Sequence, residues 1–340
     1  MCAKEMIDLR SDTVTRPNQA MLNAMFAAKV GDDVFGEDSE VNYLQKFASE
    51  LFNFEDALFC PSGTMTNQIA LFLQSGPMQE ILLHPDSHVY QYEGGGISYH
   101  ARASVKFLAG EQGKINASDL AASINPNDVH RPKTSLVSIE NTTNRGGGAC
   151  YTEEELQHIS SECRRLNLKL HLDGARLANA LVAKKIDTNI IGKLFDSTSV
   201  CLSKGLGAPV GSLLLGSKDF IKEAKRVRKV FGGGMRQAGF LAAAGTYAIK
   251  NNWERLQVDH EHAQEISHAL RTRSWVTSLM PVETNIIIFE VNNNVEDILN
   301  HLKSKNILAL PFGPKKIRFV THLDISKQDV EKILDGIETY

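Results

Sequence analysis

Apolar residues in the first two thirds of the chain alternate between helix-like and strand-like spacing. Helical spacing predicts a helix that Pro17 opens and Gly31 ends, and a second helix that Ser39 caps. Short apolar runs predict strands, with an irregular segment between the second and third, at 57–60, 81–84, 135–139, 168–172, 198–202 and 212–215. The last two form either a hairpin or neighbouring strands. This alternation predicts a mostly parallel sheet covered by helices on both faces.

The pattern changes after a long helical stretch over residues 236–270, which is interrupted near Asn251. Beyond it, alternating strand and helix patterns predict a compact α+β unit. We therefore expect an α/β protein with three parts, an N-terminal arm at 1–16, a large α/β domain at 17–250 and a small α+β domain at 251–340.

Composition narrows the class of protein. The chain has 340 residues, of which 42% are apolar and 23% charged, and these values are typical of globular proteins. Its net charge of −3 argues against a nucleic-acid partner and favours a small molecule. We expect no membrane span, since no run of eighteen apolar residues occurs.

Cysteine usage indicates a reducing compartment. The five cysteines lie far apart and show no CxxC spacing, which argues against a disulfide framework and against a zinc site. We expect no metal. No signal peptide is visible in the first ten residues, so a cytoplasmic location is expected.

Two residues suggest chemistry at the edge of the predicted sheet. Lys204 follows an apolar run and precedes Gly205 and Gly207, where a strand gives way to a tight turn. Lysine forms Schiff bases with aldehydes, although a turn lysine is more often simply solvated. Asp173 follows another strand, and a carboxylate there can keep a pyridine nitrogen protonated or can cap the next helix. Together the two residues favour a pyridoxal phosphate (PLP) site.

Small residues offer candidates for the cofactor's phosphate. Gly63 and Thr64 begin a predicted helix after a strand, where free backbone N–H groups bind anions. Arg236 follows three glycines, which act either as a flexible hinge or as a close approach to a phosphate, including one held by a neighbouring subunit.

Arginines and histidines are the remaining candidates. Arg176 and Arg318 have the forked geometry that suits an α-carboxylate, although Arg318 alone reads more simply as a surface arginine. His88 and His130 can stack on a ring or move protons, but a lone histidine is more often structural.

Seven motifs, read in order over residues 7–240, are specific enough to indicate a family. The chain resembles the low-specificity threonine aldolases, within the aspartate aminotransferase-like fold type I of PLP enzymes. The matching strings are DLRSDTVTRP from Asp8, GDDVFGED from Gly31, PSGTM from Pro61, ENT from Glu140, HLDGARLAN from His171, CLSKGLGAPV from Cys201 and GGGMRQ from Gly232.

The resemblance implies a PLP cofactor and a role for each candidate residue. Lys204 would hold PLP, Asp173 would pair with its pyridine nitrogen, and His88 would stack on its ring. The phosphate would contact Gly63, Thr64, Ser203 and another subunit's Arg236. The substrate carboxylate would contact Ser11, Arg176 and Arg318, with Arg176 also near the cofactor. His130 would join His88 near the β-hydroxyl, Tyr92 would line the substrate pocket, and Lys229 matches a basic residue without an assigned role.

The implied reaction is the cleavage of L-threonine and L-allo-threonine, which are β-hydroxy amino acids, to glycine and acetaldehyde. His88 or His130, acting through water, would take the β-hydroxyl proton. The resemblance also implies a homo-oligomer, a dimer or tetramer, with active sites at subunit interfaces. The chain departs from the family pattern at 90–96 and 141–144, and both departures bear on side-chain preference.

The sequence leaves other functions open. A β-eliminating lyase or an aldolase for β-aryl serines would share these residues. A nucleotide-binding oxidoreductase would require GxGxxG after the first long strand, and PSGTM from Pro61 lacks that spacing. A scaffold that merely binds phosphate would leave Lys204 and Asp173 unexplained.

Overall fold

A computed structural model of the protein describes residues 6–340. Within that range the strands are β1 Ile7–Asp8, β2 Asp56–Cys60, β3 Gln79–Leu83, β4 Ser104–Phe107, β5 Lys133–Glu140, β6 Lys169–Gly174, β7 Ser197–Cys201, β8 Ser212–Gly216, β9 Val276–Leu279, β10 Ile286–Val291, β11 Ile307–Leu308, β12 Leu310–Pro311 and β13 Lys316–Val320. The α-helices are α1 Gln19–Phe26, α2 Ser39–Leu51, α3 Gly63–Gln74, α4 His88–Gln91, α5 Leu120–Ser123, α6 Glu153–Arg165, α7 Leu177–Lys184, α8 Ile191–Leu194, α9 Lys218–Val230, α10 Gly239–Asn252, α11 Leu256–Arg271, α12 Val295–Ser304 and α13 Lys327–Glu338.

A seven-stranded sheet forms the centre of the molecule, in the order β2-β8-β7-β6-β5-β3-β4. Strands β4, β3, β5, β6 and β7 pair in parallel, whereas β8 runs antiparallel to both of its neighbours. The mostly parallel sheet expected from the sequence is therefore confirmed. The two runs on either side of Lys204 are antiparallel neighbours in this sheet.

Helices cover both faces of this sheet, so its central strands are buried on both sides. Every residue of β7 and β8 is buried, and in β6 only the first residue is exposed. The leucines of β6 join the main hydrophobic core, while His171 and Asp173 alternate with them on the opposite face. Polar groups on that buried face must find partners inside the protein.

A second, antiparallel sheet in the order β12-β13-β10-β9 packs with α11, α12 and α13 around its own hydrophobic core. The N-terminal strand β1 pairs in parallel with β11, and Ile7 and Leu9 belong to this second core. The arm is thus attached to the C-terminal part of the chain. The division at residues 16 and 250 stays our proposal.

Two helix starts differ from the prediction. Helix α1 begins at Gln19, after Pro17, because the Asn18 side chain accepts a hydrogen bond from the Met21 N–H and caps it. It ends at Phe26, before Gly31. Asp38 caps α2 instead of Ser39, whose hydroxyl donates to the Lys29 carbonyl. Sequence alone does not decide between two adjacent capping residues.

The segment expected to be irregular, between 84 and 135, contains strand β4, the short helices α4 and α5, a π-helical turn at Ile97–Ala101 and a 3-10 turn at Ala117–Asp119. Ser104 and Lys106 interrupt the apolar pattern of β4, which lies at the edge of the sheet beside β3. An edge strand buries little, so it needs no continuous apolar run.

No helix between residues 6 and 340 is both long and apolar enough to cross a bilayer. Four cysteines are unpaired and buried, namely Cys60, Cys150, Cys163 and Cys201, and Cys2 lies outside the described residues.

Candidate active site

Three chemically active residues meet at one edge of the large sheet. Glu140 and Asp173 are register partners at the carboxyl ends of β5 and β6, and Lys204 lies just beyond the end of β7. Open α/β sheets bind ligands at this edge. The placement of Asp173 and Lys204 follows the sequence prediction.

The turn after β7 holds the Lys204 backbone while its amine stays unpaired. The Lys204 carbonyl accepts hydrogen bonds from the Gly207 N–H at 2.8 Å and from the Thr15 hydroxyl at 3.2 Å. Gly207 has a φ of +80°, which favours glycine, and a Cβ there would collide with Leu323. Within residues 6–340, the Lys204 amine makes no hydrogen bond or ion pair. A fixed backbone with a free amine suits a covalent anchor.

His88 lies close to Asp173 and Lys204, whose charges act on it in opposite directions. Its Nδ1 is 2.9 Å from Oε1 of Glu93, and ligand atoms of His88, Glu93 and Asp173 lie within 4.8 Å of one another. Burial lowers the pKa of His88, but the hydrogen bond with Glu93 and the charge of Asp173 outweigh it, so the net shift is upward. The residue expected to stack on the cofactor ring and the residue expected to pair with its nitrogen are therefore neighbours.

Glu140 ties two loops to the end of β5. One carboxylate oxygen accepts the His88 N–H at 2.9 Å, and the other accepts the Asn144 N–H at 2.8 Å. Burial first, and the charge of Asp173 second, raise the pKa of Glu140 to about 7. Its protonation therefore changes near neutral pH, next to the candidate cofactor residues.

The start of α3 forms a cradle for an anion. Ser62 caps the helix by accepting the Met65 N–H, while the N–H groups of Gly63 and Thr64 have no acceptor within the helix. The Ser212 hydroxyl is buried, has no hydrogen-bond partner among residues 6–340, and lies 3.5 Å from where a Cβ on Gly63 would stand. An orphaned donor beside free N–H groups fits a phosphate. Ser203 lies nearby in sequence, with its hydroxyl 3.5 Å from the Cys201 sulfur.

Arg176 is buried and already holds a carboxylate of the protein. Its Nε and Nη2 each donate to Asp12 at 2.7 Å. Burial opposes ionisation, but Arg176 outweighs it and lowers the pKa of Asp12 to about 2. Nη1 of Arg176 makes no hydrogen bond with Asp12, so the expected contact of Arg176 with the substrate carboxylate would use that atom.

Arg318 and Ser11 lie together on the N-terminal side of the site. Arg318 donates to the Asn144 side chain at 2.9 Å and to the Arg10 carbonyl at 3.1 Å, but its buried Nε has no partner. Burial, with the nearby charge of Arg176, lowers the pKa of Arg318 to about 10. Ser11 accepts hydrogen bonds from Thr13, so its own proton is free. These unused donors suit a carboxylate.

Three candidate residues lie apart from this cluster in the single chain. The His130 side chain is 84% exposed and pairs with Asp128, so the expected meeting of His130 and His88 does not occur within one chain. The Arg236 side chain is 54% exposed and pairs with Asp32. Lys229 is exposed on α9.

Tyr92 is exposed at the rim of the site. Its ring centre is 5.5 Å from that of His88, and its hydroxyl accepts a hydrogen bond from Arg145 at 2.8 Å. Arg145 also pairs with Asp86 at 2.9 Å. Tyr92 is therefore held beside His88, where the resemblance implied a pocket-lining aromatic residue.

The sequence model of the beta-eliminating lyase family matches residues 8–294 of the chain. The chain belongs to this family. It is 43% identical over 332 residues to a low-specificity L-threonine aldolase of Escherichia coli K12, with 96% of this chain and 97% of the relative covered. A probable low-specificity L-threonine aldolase of Arabidopsis thaliana is 39% identical over 341 residues and covers 98% of this chain and 96% of its own.

Solved structures agree with the predicted fold. A threonine aldolase of Leishmania major matches with a TM-score of 0.86 at 22% identity, covering 98% of this chain and 99% of that one. An aspartate aminotransferase of Thermotoga maritima matches with a TM-score of 0.75 at 15% identity, covering 98% of this chain and 92% of that one. The aspartate aminotransferase-like fold type I is therefore confirmed, as is the prediction that the chain is a lyase. The family is PLP-dependent, and the free lysine, buried carboxylate and anion cradle of this chain fit that cofactor.

Several site residues of this lyase were missed in the sequence. They are polar groups that hold the predicted residues, namely the buried Asp12, Asn67, Glu93 and Glu140 and the half-buried Asn144. Asp12, Glu140 and Asn67 lie within or beside the matched motifs, so their polarity amid small or apolar residues was a usable signal. For Glu93 the available signal was its position five residues after His88.

Proposed function

We propose that the protein is a PLP-dependent aldolase that cleaves L-threonine and L-allo-threonine to glycine and acetaldehyde. The observation that carries this proposal is the unpaired amine of Lys204 beside the neighbouring pair Asp173 and His88. Bound PLP supplies an electron sink for the two electrons that are released when the Cα–Cβ bond of the substrate breaks. The protein's part is to hold the reacting groups and to move the protons.

In this proposal, Lys204 anchors the cofactor and Asp173 keeps its pyridine nitrogen protonated. Buried Asp173 accepts hydrogen bonds from the Ala175 N–H at 3.1 Å and from Asn67 at 3.0 Å, which stabilise its charged form. His88 would stack on the ring, and the contact of its Nδ1 with Glu93 would hold the imidazole in place. The phosphate would accept hydrogen bonds from the free N–H groups of Gly63 and Thr64 at the start of α3 and from Ser203, as the sequence predicted. We add the unpartnered Ser212 hydroxyl to these donors.

The substrate carboxylate is assigned to Ser11, Arg318 and the free Nη1 of Arg176. Asp12 fixes the Arg176 guanidinium from its opposite edge, so that its position does not depend on substrate. The lowered pKa of Arg318 reflects burial next to a second guanidinium, a cost that an arriving anion would relieve. This gives the two arginines a reason to bind a carboxylate.

We assign the removal of the substrate's β-hydroxyl proton to His88, acting directly or through water. Glu93 occupies Nδ1, which leaves Nε2 as the atom that can exchange a proton with substrate. His130 can share this role only if a partner subunit or a loop movement brings it in, because it is exposed in the single chain. Tyr92 is assigned to contact the substrate side chain.

The anchor assignment is tested by converting Lys204 to alanine. The purified wild-type protein should absorb in the near-visible range after PLP addition, and borohydride reduction should attach the cofactor to the peptide that contains Lys204. Lys204→Ala should lose both signals. Lys222→Ala is the matched control, since Lys222 is exposed on α9. Retention of the covalent label in Lys204→Ala would sink the assignment.

A second candidate is a β-eliminating lyase, because the matching family model carries that description. An aldolase that prefers β-aryl serines would use the same residues. Supplying threonine, phenylserine and cysteine separately distinguishes the three by their products, acetaldehyde, benzaldehyde and pyruvate. Pyruvate formation from cysteine without acetaldehyde from threonine would replace the proposed reaction.

We also propose that the protein is a homo-oligomer with active sites at subunit interfaces. Exposed apolar residues collect on the loop and helix around Arg236, namely Val30, Val34, Phe35 and Phe240. The loop packs on this region, because the Asp33 N–H donates to the Arg236 carbonyl and Asp38 accepts the Gly239 N–H. Such a group of apolar side chains favours a second copy of the chain as its partner. The buried, unpaired cysteines support a proposed cytoplasmic location.

A further inference from the structure

Asn67, in the second turn of α3, connects the two carboxylates of the site. Its Nδ2 lies 3.0 Å from Oδ2 of Asp173 and 2.8 Å from Oε1 of Glu93, the oxygen that also contacts His88. Asn67 is 2% exposed, and the Glu93 side chain is fully buried. One side-chain amide therefore uses both of its protons on two buried acids.

The orientation of this amide follows from the chemistry of its neighbours. Both carboxylates can only accept hydrogen bonds, so the amide NH₂ must face them and Oδ1 must face His171. His171 Nε2 lies 3.2 Å from that oxygen and must therefore carry a proton. Burial lowers the pKa of His171 to about 4, so the ring is neutral and its Nδ1 accepts from the Ser197 hydroxyl at 2.8 Å.

Gln74 is the next member of this hydrogen-bond series, after Ser197. Oε1 of Gln74 lies 3.2 Å from the Ser197 hydroxyl. The single proton of that hydroxyl is used on His171, so we turn the Gln74 amide to place its NH₂ group on the Ser197 oxygen. Every hydrogen bond in the series from Gln74 to Asp173 then has one donor and one acceptor. A network with each member satisfied has a single arrangement.

We propose that Asn67 is a positioning residue that aims the Asp173 carboxylate at the cofactor's ring nitrogen while holding Glu93 against His88. Hydrogen bonds to the ionised form of a carboxylate favour that form. Without them, the buried carboxylates of Asp173 and Glu93 lie within 4.8 Å of each other with fewer donors between them, and the cofactor's ring nitrogen would lose part of the partner that favours its protonated form. The inference rests on the proposed PLP site.

A pair of variants in one helix separates this role from general packing. Asn67→Leu removes the donors to Asp173 and Glu93. Gln68→Leu is the matched control, because the neighbouring Gln68 is equally buried and donates to Glu93 at 2.6 Å but has no contact with Asp173. Both proteins are loaded with ¹⁵N-labelled PLP, and three quantities are measured, the ¹⁵N shift of the ring nitrogen, the dissociation constant of PLP and the kinetics with threonine.

Asn67→Leu should move the ¹⁵N shift toward that of neutral pyridine and weaken PLP binding about tenfold or more, since a charge-assisted hydrogen bond is lost. Its kcat should fall while KM stays within about twofold, because Asn67 is not among the carboxylate-binding residues. Gln68→Leu should keep the wild-type ¹⁵N shift. If the cofactor-free Asn67→Leu protein lacks the wild-type circular dichroism, Asn67→Ser is judged by the same criteria.

An unchanged ¹⁵N shift and PLP affinity in the Asn67 variant would overturn the inference. An equal change in Gln68→Leu would also overturn it, because the effect would then arise through Glu93 alone. A wild-type protein that binds no PLP would instead refute the proposed function, so the two failures are distinguishable.

Discussion

Glu140 places an ionisable group with a pKa of about 7 at the centre of the site, although its side chain is buried between two backbone N–H donors. The pKa is raised relative to the unfolded chain, so the folded protein binds the proton more tightly. The stability that this proton contributes is fully present below pH 4.5 and is lost as the pH rises through about 7.

Substituting Glu140→Gln should therefore flatten the pH dependence of stability. In the cofactor-free wild type, Glu140 should lower the free energy of unfolding by up to about 3 kcal/mol between pH 5 and pH 8. The glutamine variant cannot ionise and should lack this component, whatever its stability at pH 5. Urea titrations of both proteins across this range measure the difference, and a constant difference at every pH would contradict the assignment.

Asp12 should contribute more to stability than any surface acid, because it neutralises a buried guanidinium. Asp12→Asn leaves Arg176 buried without its charged partner and should cost about 3–5 kcal/mol. Asp8→Asn removes a similar pairing with Arg10, whose side chain is 44% exposed, and should cost about 1 kcal/mol or less. Denaturant unfolding of the two variants at pH 7 gives both values.

The pH dependence of stability gives an independent check of the ion pair between Asp12 and Arg176. Its lowered pKa means that the stability it provides is present above about pH 4 and lost as the pH falls toward 2. The cost of Asp12→Asn should shrink over that acidic range. Equal costs for Asp12→Asn and Asp8→Asn would show that the buried pair is not special.

At the scale of residues, the sequence predicted the placement of those proposed to act directly and missed the buried groups that hold them. Lys204 and Asp173 follow buried strands, so their chemistry and position could be argued together. Asp12 pairs with Arg176 across 164 positions of the chain, and no local pattern predicts such a contact. The sequence therefore predicted Arg176 as a contact of substrate and cofactor but missed its pairing with Asp12.

At the scale of elements, helix α3 and the segment that follows His88 support each other. Gly96 begins a π-helical turn at Ile97–Ala101 and lies against the Gln68 side chain of α3. Gln68 in turn donates to Glu93 at 2.6 Å, and Glu93 holds His88. The position of His88 thus depends on close packing between two elements.

Gly96→Ala should disturb this packing. Its φ of −54° suits alanine, but the new Cβ would collide with the Gln68 carboxamide and displace it from Glu93. We expect a loss of about 1–2 kcal/mol in stability and weaker PLP binding. Gly76→Ala is the control, since a Cβ there meets nothing within 4 Å. Calorimetry and PLP titration test both variants, and equal behaviour would contradict the packing argument.

The sequence predicted most elements because their apolar spacing was strong, as in α2 and β6. The sequence did not predict the features that depend on contacts between distant residues. Strand β4 has little apolar character and exists because β3 offers an open edge. The Gly96 contact with Gln68 joins residues that no local periodicity relates.

At the scale of the whole molecule, Arg236 and His130 have no place in the site of their own chain. Arg236 lies among exposed apolar side chains, including Phe35, which is 74% exposed. The proposed oligomer resolves this, because a second copy would cover the apolar residues and receive Arg236. A single chain would then contain an incomplete active site.

Subunit complementation tests this arrangement. Lys204→Ala and Arg236→Ala should each bind PLP poorly and be inactive or nearly so. In a hybrid of the two chains, one site combines the intact Lys204 of one chain with the intact Arg236 of the other. Random pairing makes half of the dimers hybrid, with one complete site of two, so activity should return to about a quarter of the wild-type level. Differently tagged chains, co-expressed and purified through both tags, should bind one PLP per two subunits.

The control distinguishes sharing across an interface from mere stabilisation by a partner. A chain that carries both substitutions is paired with Arg236→Ala, and this hybrid contains no complete site, so it should show no recovery. If Arg236 instead served its own chain, neither hybrid would recover, since each intact Lys204 would lie beside a missing arginine. Recovery in the first hybrid alone therefore requires that each active site be built from two chains.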